Sequence, residues 1–193
     1  MRSKRAFLSA LASASLFLGS GRALASDYYV SASADSCTNV SGTLAQPYCS
    51  IMAALTAHHT AGTRIFVLPG VYHEQVTVPA SGTASDPIVL QALSSDGEPV
   101  VIDGSNDLSD PSLWTPYAGD VWLAPSVDWS PVQVFADSTR LTPASVEPDQ
   151  LPPGSFTSIA GEGLYVNVGG DDPAAHHAEV GRRAYGFLSL IHI

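Results

Sequence analysis

Beyond position 25 this chain contains no lysine. Its cations there are Arg64, Arg140, Arg182 and Arg183, against 18 acidic residues, so that part carries 4 − 18 = −14. Nucleic acid and anionic membranes both call for clustered Lys and Arg, and this balance argues against either as a partner. Cysteine is scarce as well. Cys37 and Cys49 fall short of a zinc ligand set, and they lack the C-x-x-C spacing of a redox pair. No apolar run after the first 25 residues is long enough to span a bilayer. Ser-His-Asp and glycine-rich phosphate-loop signatures are absent, and no pair of carboxylates has a spacing that fixes its separation for glycoside hydrolysis.

What is present begins with a leader. Arg2, Lys4 and Arg5 precede an apolar, small-residue run from Ala6 to Gly19, and Ala23-Leu24-Ala25 forms a small-x-small site before Ser26. This is the pattern of a signal peptide cleaved after Ala25, which implies a secreted or periplasmic protein of about 168 residues. In such a compartment Cys37 and Cys49 are expected to form one disulfide, contributing ~3 kcal/mol by closing a loop of roughly a dozen residues.

The stretch from Arg64 to Gly104 organises the remainder. Four β-branched-rich runs (64–68, 71–78, 88–92 and 99–104) are each fenced by Pro, Gly, Ser or Asp, which is the signature of short strands and turns. Run centres at Phe66 and Leu90, and at Thr77 and Val101, recur with a period of 24 (90 − 66 and 101 − 77). That period, without intervening helices, predicts an all-β chain built as coils of a parallel β-helix, in preference to an antiparallel sandwich. Upstream, Ser50 is a good N-cap, and Ile51, Ala54, Leu55 and His58 follow at helical spacing, predicting a short helix over 51–60. Such a helix can cover the open apolar end of a first coil. His58 and His59 are adjacent, so a helix points them in different directions, away from a shared metal.

A set of segments in this order carries a resemblance: Tyr28-Tyr29-Val30-Ser31, Gly42-Thr43-Leu44-Ala45-Gln46-Pro47-Tyr48, Ser50-Ile51, Leu68-Pro69-Gly70-Val71-Tyr72, and Val100-Val101-Ile102-Asp103-Gly104-Ser105. Together they resemble the N-terminal part of exported right-handed parallel β-helix proteins, among them pectate lyase-like, alginate or chondroitin lyase-like and mannuronan epimerase-like enzymes. The resemblance covers about residues 27–105 and implies a cap and first coils over 26–112. It leaves the catalytic face out. The next rung of the same family is resembled again over 173–193, where the chain stops at an uncapped apolar tail. This implies a fragment of a longer chain, with its catalytic residues beyond Ile193.

Between them, residues 113–172 read as an antiparallel β insertion, with alternation in Val132–Phe135 and Leu164–Val168. Trp114, Trp122 and Trp129 fit either a sugar-stacking platform or the core of that insertion. Asp103, Asn106, Asp107 and Asp110 fit either a calcium site or turn chemistry, and Asp171-Asp172 adds a further acidic pair. Arg182 and Arg183 fit either an anionic-substrate contact or a solvated edge. Lyases of the resembled families use a cation to neutralise the substrate carboxylate and a Lys or Arg base, and only arginine is available here. Two functions follow as expectations. One is a secreted carbohydrate-active enzyme, foremost a polysaccharide (uronan) lyase, as a monomer acting on a polysaccharide. The other is a non-catalytic β-helix that binds glycans or serves adhesion.

Overall fold

A computed structural model describes residues 26–33, 41–93 and 97–189. The leader, Cys37 of the expected disulfide and the tail from Leu190 to Ile193 lie outside the described residues. The first half comprises β1 (Ser26–Val30), α1 (Ile51–Ala57), β2 (Thr63–Val67), β3 (Gly70–His73), β4 (Val76–Thr77), β5 (Val89–Ala92) and β6 (Val100–Asp103). Three small parallel sheets result. β1, β2 and β5 stack side by side, β3 pairs with β6, and β4 pairs with β16 (Phe187–Leu188). The named strands over 26–103 pair in parallel, with one isolated antiparallel bridge between Thr43 and Gln46, which disposes of an antiparallel sandwich for this half.

The register differs from the expected 24. Arg64 faces Val89, an offset of 25, whereas Val71 faces Val101, an offset of 30. Val101 therefore lies beside Val71, and Thr77 pairs instead with Leu188, 111 residues on. The corner loops are unequal, so a single period cannot describe both sides. The run 71–78 is also two strands. The chain bends at Glu74, whose N–H returns to the carbonyl of Tyr72 (2.9 Å).

The helix is shorter than expected, ending at Ala57. Ser50 caps it by accepting from the Ala53 N–H (3.0 Å). Ile51, Ala54 and Leu55 bury against Val30, Ile65, Val67, Tyr72 and Val76, forming the core of the parallel half. His58 leaves the helix axis. Its ring stacks on Tyr28 (3.4 Å between centroids) and meets the Tyr48 hydroxyl through Nε2 (2.9 Å). Burial, and then the neighbouring charge of His59, hold its pKa below the ordinary value.

The second half is antiparallel except for one parallel pairing, of the strands at Thr142–Pro143 and Ser155–Ile159. It contains β7 (Ser105–Asp107), β8 (Thr115–Ala118), β9 (Val121–Ala124), β10 (Val134–Ala136), β11 (Thr139–Arg140), β12 (Thr142–Pro143), β13 (Ser155–Ile159), β14 (Gly163–Asn167) and β15 (Glu179–Gly181). β12, β13, β14, β9 and β8 make a five-stranded sheet with β14 at its centre, every residue of which is buried. A four-stranded sheet, β11-β10-β15-β7, ties the insertion back to the end of β6. Leu108, Trp114, Val134, Phe156, Leu164, Val166 and Val180 fill the space between. The chain is therefore all-β with one α-helix among the described residues, and no described helix is long and apolar enough to cross a membrane.

Candidate functional site

One group of polar side chains lies where the parallel and antiparallel halves meet. Alternation along β3 buries Tyr72 and turns Val71 and His73 outward, and the β3–β6 register sets Asp103 beside His73. At Gly104 the chain turns into β7, and the Gly104 carbonyl accepts from the N–H groups of Arg182 (3.2 Å) and Arg183 (3.0 Å). β7 pairs antiparallel with β15, so Asp107 stands directly opposite Glu179, and Ser105 opposite Gly181. Two carboxylates directly opposite on paired strands oppose folding. Such a locally unfavourable choice is a mark of functional sites.

Three adjoining clefts run along this seam. One, of about 380 Å³, is lined by His73, Asn106, Asp107, Leu108, Leu113, Ser126, Trp129 and Arg182. A second, of about 360 Å³, shares Trp129 and Arg182 and adds Ser130, Val132 and Gln133. A third, of about 370 Å³, holds Asp103, Ser105, Phe135, Glu179 and Arg183. Trp129 forms the wall between the first two. Its indole N–H donates to the Gly181 carbonyl (2.9 Å), and the Arg182 guanidinium lies 4.5 Å above its ring. Asp107 is held below the usual carboxylate range, chiefly by the hydrogen bond from the Ser109 side chain, with His177 and His73 adding to it.

The expected site residues separate into groups. Trp114 is core: it is 4% exposed and its Nε1 donates to the Leu108 carbonyl (2.8 Å), so no ring face is open for stacking. Trp122 packs against the same core from β9. Trp129 lines two of the clefts described above. Arg182 lies over it, whereas Arg183 is committed to backbone, donating to the Ser105 carbonyl (2.7 Å). Asp103, Asp107 and Asp110 each accept from the backbone N–H two residues ahead, at Ser105, Ser109 and Ser112. Each thus closes its own turn, as short acidic side chains do. Asn106 and Asp107 line the first cleft, whereas Asp103 lines the third. Among the described residues no group of three or more His, Cys, Asp or Glu side chains could hold a metal ion. His73, Ser105 and Glu179 were missed from sequence. A 24-residue period would have set His73 against Gly97, so only the true offset of 30 reveals its partner.

A second polar cluster lies outside the clefts. His176 meets Asp137 through Nδ1 (2.8 Å) and Asp171 through Nε2 at 3.6 Å, an ion-pair contact longer than a hydrogen bond. Asp137 and Ser138 form the β10–β11 turn with positive φ, 47° and 62°. The hydrogen bond to Asp137 raises the His176 pKa above its ordinary value of 6.5; partial burial opposes this, and Asp171 adds to it. Because the folded pKa is raised, the added stability is complete below the unfolded pKa and is lost as pH rises through the folded one. These are surface charges, so the effect is expected to be at most about 1 kcal/mol. Urea midpoints across that pH window should fall for the wild type and fall less for Asp137→Asn, in which only the weaker Asp171 contact remains. A parallel fall in both would refute the assignment.

No protein-family model matches this chain, and no curated protein matches it. Two solved structures do. One, described as the complex structure of XylC with xylose, superposes with a TM-score of 0.64 and 21% identity over 86% of this chain and 33% of that one. This chain shares its fold. It spans about a third of the XylC chain's length. The other, described as a glycoside hydrolase, gives a TM-score of 0.43 and 18% identity over 60% of this chain and 21% of that one.

Proposed function

We propose that this chain is the N-terminal part of an exported, carbohydrate-active protein built as a right-handed parallel β-helix, and that the seam at Trp129 binds an uncharged glycan. The observation that carries the reading is Trp129 itself, a partly buried indole at the wall shared by two clefts, braced by Arg182 and flanked by His73 and ionised Asp107. An amphipathic ring beside fixed hydrogen-bonding groups suits a pyranose, which offers an apolar face and a rim of hydroxyls. The helical reading is supported by three parallel pairings, which advance by 37, 25 and 30 residues as the chain goes round. The carbohydrate reading is supported by the xylose held by the similar structure.

An uncharged glycan fits better than a uronan. The seam presents Asp103, Asp107 and Glu179 against Arg182 and Arg183, one of which covers a ring while the other binds backbone. A polyuronate would meet net repulsion there. Uronan lyase chemistry also needs a free cation beside the substrate carboxylate, and neither arginine is uncommitted.

Intrinsic tryptophan fluorescence under titration tests the reading. Xylose and xylo-oligosaccharides are expected to perturb the emission saturably, and oligogalacturonate to do so weakly or not at all. Trp129→Ala, followed by titration calorimetry because the reporting indole is gone, should weaken binding by about tenfold or more, equivalent to ~1.4 kcal/mol. No response to any sugar, or tighter binding of the galacturonate, would sink the proposal.

A further inference from the structure

His73 and Asp103 are direct partners in the β3–β6 register, with side chains on the same outward face. The Nδ1 atom of His73 is buried and has no hydrogen-bond partner. Oδ2 of Asp103 stands 4.0 Å from it, while Oδ1 is occupied by the Ser105 N–H (2.7 Å). A solvent-shielded ring nitrogen left unpaired has no structural purpose, since native interiors pair such groups almost without exception. A shift of about 1 Å in either side chain would bring the two atoms into hydrogen-bond range. Pairs of this kind are commonly long in unliganded sites and tighten with ligand. Donation from Nδ1–H to a carboxylate would place the proton on that nitrogen and leave Nε2 as an acceptor. The side chain is 31% exposed, and His73 lines the cleft that also holds Asn106, Asp107, Trp129 and Arg182.

We infer that His73 is a ligand-binding residue of this cleft, whose Nε2 accepts a hydrogen bond from a sugar hydroxyl, and that Asp103 is a positioning residue that holds the required tautomer. The inference rests on the glycan reading and deepens it. In the same cleft Arg182 can only donate and Asp107, ionised, can only accept with a full negative charge. With its proton on Nδ1, His73 supplies at Nε2 an acceptor that carries no full negative charge, which suits a hydroxyl.

The test follows the ring nitrogens of His73 by 15N NMR in the full chain while Trp129 fluorescence reports occupancy by a xylo-oligosaccharide. The free protein should show the Nδ1–H tautomer, and the Nε2 resonance should move on saturation. His73→Gln, which retains an acceptor near the Nε2 position, should bind within about threefold of wild type, and His73→Phe about tenfold or more weaker. Asp103→Asn keeps the oxygen that closes the turn at Ser105. It should weaken binding a few-fold and mix the tautomers. If Trp129 reports binding while the His73 nitrogens stay still, or if His73→Phe binds as wild type, the assignment is overturned and the glycan reading survives. If Trp129 is silent towards every sugar, both fall.

Discussion

Replacing Glu74 with alanine is expected to lower the unfolding free energy by about 3 kcal/mol. Glu74 reaches back 23 residues to the start of α1, where Oε1 accepts from the Ile51 N–H (2.7 Å) and Oε2 from the Met52 N–H (2.9 Å). The first amides of any helix lack partners within it. Here Ser50 serves Ala53 with its hydroxyl, and Ala54 with its carbonyl, and Glu74 serves the other two. Hydrogen bonds to an ionised group contribute ~1.5–3 kcal/mol each, and the negative charge sits at the positive end of the helix dipole. The helix has only seven residues and cannot hold itself without such support. Its loss would uncover Ile65, Val67 and Val76, on which Ile51, Ala54 and Leu55 rest. Glu74→Gln keeps one acceptor and should cost about half as much; Ser50→Ala should cost ~1 kcal/mol. Urea unfolding followed by circular dichroism decides the matter. An alanine variant within ~0.5 kcal/mol of wild type would remove Glu74 from the account of the helix.

Gly163→Ala should cost about 4 kcal/mol, and the protein should express poorly. Gly163 opens β14, the buried centre of the five-stranded sheet, with φ at +139°. A Cβ there would lie 2.5 Å from the Ala124 carbonyl oxygen, 2.9 Å from the Pro125 Cα and 2.9 Å from the Leu123 Cδ1. Two of these are backbone atoms of the adjoining chain and cannot step aside singly. Strain at a glycine-only φ costs ~1–3 kcal/mol and overpacking a further ~1–3. Gly119 is the control. Its φ is +55°, and a Cβ would meet nothing within 4 Å, so Gly119→Ala should cost only ~1 kcal/mol. Comparable melting temperatures for the two variants would refute the steric argument.

Much of the scaffold is legible in the chain because its determinants are local. The runs at 64–68, 88–92 and 99–104 correspond to strands β2, β5 and β6, since β-branched residues between turn formers leave little else to form. Ser50 announces the helix by its own side chain. The helix stops short of His58 because an aromatic partner, Tyr28, claims that ring from a strand more than twenty residues upstream. The site is far less legible. All three tryptophans look alike in sequence, yet Trp114 is sealed in the core while Trp129 stands at a cleft wall. The acidic group at 103–110 reads equally as ligand set or turns, and the turn amides of Ser105, Ser109 and Ser112 decide where its oxygens point.

What the sequence determined by itself is therefore the all-β character, the short capped helix, the parallel progression through 64–104 and the strongly acidic balance. These depend on neighbours a few residues apart and on composition. The tertiary structure alone decided the offsets of 25 and 30, the return of β16 onto β4, the long reach of Glu74 to the helix, and the meeting of His73 with Asp103 and of Trp129 with Arg182. Each of those depends on how far a corner loop carries the chain before it pairs again. Loop closure costs little extra as a loop lengthens, so local pattern alone cannot specify that distance.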